Sequence, residues 1–140
     1  MLCPVCKVDM FVLEFEQVEI DFCYECRGVW LDSGELEMIG ERAGAVRQDL
    51  FRALETGAGR PPKEGARRCP VCRRRLLEVR TDTDPPIVLD RCPREHGLWF
   101  DHGELPAVAA AAGADHENVL ARFLDGLTAD DANASSPEAQ

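Results

Sequence analysis

Seven cysteines, arranged as Cys3-x-x-Cys6, Cys23-x-x-Cys26, Cys69-x-x-Cys72 and a single Cys92, are the residues of this 140-residue chain best suited to chemistry. Two thiolates separated by two residues on a tight turn reach one metal ion, and two such turns complete a tetrahedron. Cys3, Cys6, Cys23 and Cys26 are such a pair of pairs with a hairpin-length spacer, so they predict a structural four-cysteine zinc site. Iron held as in a rubredoxin is the alternative. A Cys-x-x-Cys can also be a redox motif, but no strand pattern precedes Cys3 and no helical pattern directly follows Cys6. An odd number of thiols also leaves one unpaired in any disulfide scheme.

The same chemistry returns later in the chain. Cys3-Pro4-Val5-Cys6 recurs as Cys69-Pro70-Val71-Cys72, and Gly28-Val29-Trp30-Leu31-Asp32-Ser33-Gly34-Glu35-Leu36 recurs as Gly97-Leu98-Trp99-Phe100-Asp101-His102-Gly103-Glu104-Leu105. The offset grows from 66 to 69, which places three extra residues in the second copy, at Thr81–Pro86. Copy two supplies only Cys69, Cys72 and Cys92. Aligning the Trp motifs sets Glu95 where copy one has Cys26, and His96 follows. An imidazole nitrogen lies farther from its backbone than a thiolate sulfur, so His96 is the expected fourth ligand, the alternative being a three-ligand site open to water or Glu95. Eight ligands then make two closed tetrahedra, hence two Zn²⁺ per chain. His102 and His116 are read as solvated.

These ligands need turns, and turns need strands between them. Val18, Ile20 and Phe22 alternate with Glu19 and Asp21, a period-2 strand that Leu13 and Phe15 join across Glu16-Gln17. Leu77–Arg80 and Ile87–Asp90 play the same parts in copy two. Each copy predicts a Cys-Pro-Val-Cys turn, an antiparallel hairpin, a second ligand turn and a third strand carrying Trp30 or Trp99. The fold class is therefore a small metal-bound α+β chain of two tandem three-stranded zinc ribbons, each followed by helix. Asp32 with Glu35, and Asp101 with Glu104, read as capping boxes. One helix is predicted to run from there to about Glu55, with Leu36, Ile39, Ala43, Val46, Leu50 and Leu54 on its apolar face. In copy two Pro106 is expected to make the helix restart, and Asp115 to cap a last helix. The expected organisation is ribbon one with its helix at 1–56, a linker at 57–66, ribbon two with its helices at 67–127, and a disordered acidic tail at 128–140.

The pattern Cys3-Pro4-x-Cys6, then Cys23-x-x-Cys26-x-Gly28-x-Trp30-Leu31-Asp32-x-Gly34-Glu35-Leu36, resembles the small bacterial zinc-ribbon proteins of the transcription factor zinc-finger type, named for likeness to the ribbon of transcription factor IIB. Copy two is similar to a His-containing variant through Cys92-Pro93-x-x-His96-Gly97-x-Trp99-x-Asp101-x-Gly103-Glu104-Leu105. The resemblance implies zinc and a ribbon fold. Ribbons serve as nucleic-acid readers, protein docking modules or structural clips, so it implies less about activity.

Charge narrows the partners. The net charge is −10, with −7 in residues 1–40 and +3 in 41–68, so any phosphate-binding surface has to be local. Arg67, Arg68, Arg73, Arg74 and Arg75 are the candidate nucleic-acid contacts around the Cys69 knuckle. The acidic first copy and the amphipathic helix suit a protein partner, or a homodimer through the 34–55 helix. No apolar stretch approaches the roughly 20 residues of a membrane span, and no signal peptide is visible, so a cytoplasmic chain with no membrane role is expected. No nucleophile constellation or phosphate loop is present and capping accounts for the recurring carboxylates, so no catalytic residue is assigned and the chain is not expected to be an enzyme.

Overall fold

The computed structural model describes residues 1–114 and 117–127. Asp115, His116 and the 128–140 tail lie outside the described residues, as do the expectations placed on them. In chain order the elements are β1 (Phe11–Phe15), β2 (Val18–Phe22), β3 (Val29–Asp32), α1 (Glu35–Arg42), α2 (Gln48–Thr56), β4 (Leu77–Arg80), β5 (Val88–Arg91), β6 (Gly97–Phe100), α3 (Glu104–Ala111) and α4 (Glu117–Asp125).

The two copies do not stand apart. Their strands form one antiparallel sheet in the order β1-β2-β3-β6-β5-β4, joined at its centre by β3 and β6. There Trp30 pairs with Trp99, Val29 with Phe100 and Leu31 with Leu98. Trp99 is the repeat equivalent of Trp30, so a twofold pseudo-axis passes through this pair. All four helices contribute to one core with one face of the sheet: Leu36, Leu54, Leu105 and Leu120 pack with Leu13, Phe15, Ile20, Leu31, Leu89 and Phe100. The other face carries Trp30 and Trp99, each clustered with the metal-ligand turns.

The shared motif is built on exchange between copies. A Cβ at Gly28 would collide with the Trp99 ring, and one at Gly97 with the Trp30 ring and the Leu31 carbonyl. The glycine of each copy is thus the floor on which the other copy's tryptophan lies. Arginines are exchanged in the same way. Arg91 donates to the carbonyls of Leu54 (2.9 Å) and Gly57 (2.6 Å) at the end of α2, and Arg27 to those of Leu124 (2.6 Å) and Leu127 (3.1 Å) at the end of α4. A cation on the last carbonyls of a helix satisfies orphan acceptors and opposes the helix dipole.

Three expectations about the helices are corrected. The helix predicted from residue 34 to about 55 is two helices, broken at Ala43-Gly44-Ala45, where Gly44 has φ 84°. The Val46 and Arg47 N–H groups beyond the break donate to the Ala112 carbonyl, both at 2.9 Å, and Val46 is 76 % exposed rather than on the apolar face. Pro106 does not restart a helix: it lies in the first turn of α3, where its missing N–H has no intrahelical acceptor to lose. Asp32 and Asp101 do not cap, because the N-caps are Gly34 and Gly103, both left-handed and without a side-chain cap. Each Asp instead accepts the indole N–H of its own Trp, Trp30 to Asp32 at 3.0 Å and Trp99 to Asp101 at 3.1 Å. Glu35 and Glu104 do reach back as predicted, accepting the Asp32 and Asp101 N–H groups at 2.7 Å.

In the 34–55 segment, the expected place for a homodimer contact, Met38 and Val46 are the exposed large apolar side chains. Leu36, Ile39, Leu50, Phe51 and Leu54 are buried against the chain's own sheet. Among the described residues no helix is long and apolar enough to cross a membrane.

Candidate metal centres

Each metal centre draws one turn from the chain before a hairpin and one from the chain before the third strand. The Leu2–Asp9 and Arg68–Arg75 bridges close the first turn in each copy, and the hairpins carry the chain back to Cys23 and Cys92. All four turns share one closure: the first Cys N–H donates to the carbonyl five residues on, from Cys3 to Val8, Cys23 to Gly28, Cys69 to Arg74 and Cys92 to Gly97, at 2.8 to 3.1 Å.

Within that common length the turns differ at one place. In three of them the residue after the second cysteine is left-handed (Lys7, Arg27 and Arg73) and bonds back to the carbonyl of the first cysteine, four residues earlier. In the fourth, Glu95 turns left-handed one residue sooner, with its N–H on the Cys92 carbonyl three residues back. The tighter turn excludes Glu95 from the ligand position and delivers His96. The loop has not lengthened; the ligand has moved one place along it.

The sulfur and nitrogen atoms converge. Cys3, Cys6, Cys23 and Cys26 bring their Sγ atoms within 4.8 Å of one another, and so do Cys69, Cys72, Cys92 and His96 with its ring nitrogen. Cys3 and Cys26 sulfurs are 3.7 Å apart and Cys72 and Cys92 sulfurs 3.6 Å, close to the roughly 3.8 Å edge of a zinc–thiolate tetrahedron. His96 approaches through Nδ1, 3.4 Å from the Cys92 sulfur. All seven cysteines are free thiols. Backbone N–H groups already point at them, with Val5 and Cys6 on Cys3, Val71 on Cys69, and Arg94 on Cys92, each at 3.3 Å. Such donors favour thiolate, the form that binds metal.

Burial opposes that charge. It pushes the Cys26 thiol far up and Cys69 up to about 12. For Cys72 burial pulls in the same direction, yet the Arg74 N–H and the neighbouring Cys92 and His96 bring it down to about 7. A cation that supplies the missing positive charge therefore displaces protons on binding, which suits zinc. These residues hold two zinc sites, one of four cysteines and one of three cysteines and a histidine. His102 stays outside them, exposed, with its Nε2 3.5 Å from Asp125.

The predicted basic collar divides. Arg67 is spent on Asp101 at 2.6 Å and Asp90 at 3.4 Å. Arg68, Arg73, Arg74 and Arg75 have no carboxylate at ion-pair distance among the described residues, and Arg68 donates to the Arg73 carbonyl. Arg68 and Arg73 line a cleft of about 330 Å³ between the first knuckles of the two copies, joined by Lys7, which the sequence reading did not include. Only the pairing of the copies brings Lys7 there.

The recurring carboxylates are held by structure. Burial lifts Glu35 and Glu104 to about 7 despite the N–H each accepts, with Asp32 and Asp101 repelling them further. Asp21 rises to about 6, from burial and then from Asp32.

The family model described as transcription factor zinc-finger matches residues 2–42 and again 68–111. No curated protein and no solved structure matches the chain.

Proposed function

The chain belongs to the transcription factor zinc-finger family, in two tandem copies, and from that premise we propose that it is a non-catalytic, zinc-scaffolded module that docks on a protein partner. The observation that carries this reading is where the exposed apolar side chains lie. Six exposed large apolar side chains, Met1, Leu2, Val5, Val8, Phe11 and Val12, fall within the first twelve residues, while the other four among the described residues, Met38, Val46, Val71 and Val119, are scattered singly along the chain. At the equivalent positions copy two has Arg67, Arg68, Val71, Arg74, Leu77 and Glu78, mostly charged. A concentration of exposed apolar side chains in one short segment of a small chain supports a protein interface. Both zinc shells are filled by four protein ligands, which leaves no open position for zinc catalysis.

The test is a chain carrying Leu2→Glu, Val5→Glu and Val8→Glu together. It is expected to keep two zinc ions and to lose the proteins that cross-link to the wild type. An unchanged set of cross-linked proteins would overturn the reading.

A second reading has its own observation, the cationic cleft lined by Lys7, Arg68 and Arg73 with no carboxylate among its lining residues. It suits a phosphate backbone. Salt-dependent nucleic-acid binding that vanishes in the Lys7→Ala, Arg68→Ala, Arg73→Ala variant would support it, and no binding at low salt would remove it.

A further inference from the structure

The two outer edges of the sheet are equivalent by the repeat and differ in what lies on them. On β4 the preceding segment doubles back. The Arg60 N–H donates to the Glu78 carbonyl at 2.8 Å, and the Glu78 N–H donates to the Arg60 carbonyl at 3.3 Å, an antiparallel bridge. Side chains follow the backbone, with Arg60 at 3.9 Å and Lys63 at 3.6 Å from the Glu78 carboxylate and Arg67 on Asp90 and Asp101. A basic segment thus sheathes both the edge and the carboxylates on the face beside it.

The pairings Phe11 with Phe22 and Leu77 with Arg91 place Val12 where copy two has Glu78, and Asp21 and Asp32 where it has Asp90 and Asp101. The β1–β2 hairpin turns on two residues, Glu16 and Gln17, both at positive φ. Such a turn is closed by a hydrogen-bonded pair, so Phe15, Leu13 and Phe11 bond to β2, while Val12 and Glu14 direct N–H and C=O outward. Among the described residues no backbone group meets them. Val12 is 54 % exposed, and neither β1 nor β2 contains a lysine, arginine or proline that would discourage pairing. The adjoining face carries Glu14, Glu19, Asp21 and Asp32.

We propose that the outer edge of β1 takes up an extended basic segment of the protein partner by antiparallel strand addition, its cations meeting the carboxylate face that Arg60, Lys63 and Arg67 cover in copy two. The inference rests on the protein-docking reading and names its surface and its partner chemistry. Main-chain bonds to Val12 and Glu14 supply the pairing, and an apolar residue facing Val12 replaces the Arg60–Glu78 contact. A second copy of this chain is a poor occupant, because β1 against β1 sets carboxylates on carboxylates. The same charge repels a phosphate backbone.

The zinc-loaded full chain is titrated with a synthetic peptide of residues 56–67 carrying Arg60→Val, which includes residue 58 opposite Glu14, and amide signals and hydrogen exchange are read residue by residue. The expected result is a shift and slowed exchange at Val12 and Glu14. Affinity should fall about tenfold in the Glu14→Lys, Glu19→Lys variant, and binding should vanish in Val12→Pro, which forfeits only an outward N–H and leaves the β1–β2 bonds intact. If Val12→Pro fails to retain two zinc ions, the charge variant carries the test. Unchanged affinity in that variant, shifts confined to the cleft between knuckles, dimerisation through β1 in sedimentation, or no binding at millimolar peptide would overturn the proposal. Cross-linked partners retained by Val12→Pro but lost with Leu2→Glu, Val5→Glu and Val8→Glu would overturn the edge assignment and leave the docking reading standing.

Discussion

Copy one and copy two share strand register, helix positions and ligand turns, yet they solve two local problems differently. Copy one closes its metal site with Cys26, copy two with His96 from a turn tightened by one residue. Among the described residues no backbone group meets the outer edge of copy one at Val12 and Glu14, while copy two covers the equivalent edge and its carboxylates with residues 60–67. Two motifs are common to both: Cys-Pro-Val-Cys at the first metal knuckle, and Gly-x-Trp-x-Asp-x-Gly-Glu, whose glycine and tryptophan form the seam. The lesson is that the copies agree where they hold metal or touch each other, and differ most along the outer strand and the segment before it.

The largest expected effect comes from removing a metal ligand. Cys3→Ser should release one zinc and unfold both copies in a single transition, because the sheet, the tryptophans and the arginines are shared, and structural zinc carries much of the folding free energy of such small units. Chelation followed by circular dichroism and by NMR of each copy checks this; a copy two that keeps its spectrum would show that the seam does not couple them. His96→Ala is the matched probe on the other side. It should weaken the second site and, through the same shared seam, destabilise copy one as well; a four-cysteine site with unchanged zinc affinity and an unchanged copy-one spectrum would show that the seam does not couple them.

Next come the seam glycines. Gly28→Ala and Gly97→Ala each force a Cβ into the other copy's indole and should each cost about 1–3 kcal/mol in denaturant unfolding, the range for overpacking a core. Equal costs confirm the pseudo-symmetry, and a negligible cost at either would break it. The crossed arginines follow. Arg91→Met leaves the Leu54 and Gly57 carbonyls without their donor and should cost about 2 kcal/mol, more than Arg27→Met, because Arg91 is buried and Arg27 only half-buried.

The smallest effect is one of pH. Glu35 and Glu104 are held at about 7 in the folded chain against an ordinary 4.5, so folding favours their protonated forms. Their ionisation therefore penalises the folded state increasingly as pH rises from about 4.5 to about 7, and fully above it. Glu35→Gln, which keeps an acceptor for the Asp32 N–H, should flatten that slope by about half, and Glu104→Gln should do the same. Thermal melts of the zinc-loaded chain between pH 6 and 8 measure it.

Much of this was legible in the residues. Ligand spacing located both metal centres, alternation located the hairpins, and counting from Cys92 found His96. The helix break was missed because Leu36, Ile39, Leu50 and Leu54 keep helical phase across it, although Ala43-Gly44-Ala45 recurs as Ala112-Gly113-Ala114 and marks the same interruption in both copies. The purpose of Gly28 and Gly97 was hidden for a different reason. Their partners lie about seventy residues away in the chain, and a contact between repeats leaves no trace in the periodicity of either. Arg67 looked free beside Arg68 because charge counting along the chain cannot see that Asp90 and Asp101 fold up against it.

The pairing of Trp30 with Trp99 has an optical consequence. They are the only two tryptophans in the sequence, their backbones pair across the pseudo-axis, each ring lies on the other copy's glycine, and each indole N–H is fixed by an aspartate. Each indole thus sits in an asymmetric setting that the other copy completes, so near-ultraviolet circular dichroism should carry a signal that exists only while the halves are joined. Intrinsic fluorescence then reports the seam and little else: a built-in gauge of whether the two copies are engaged, readable without a label during metal loading or partner binding.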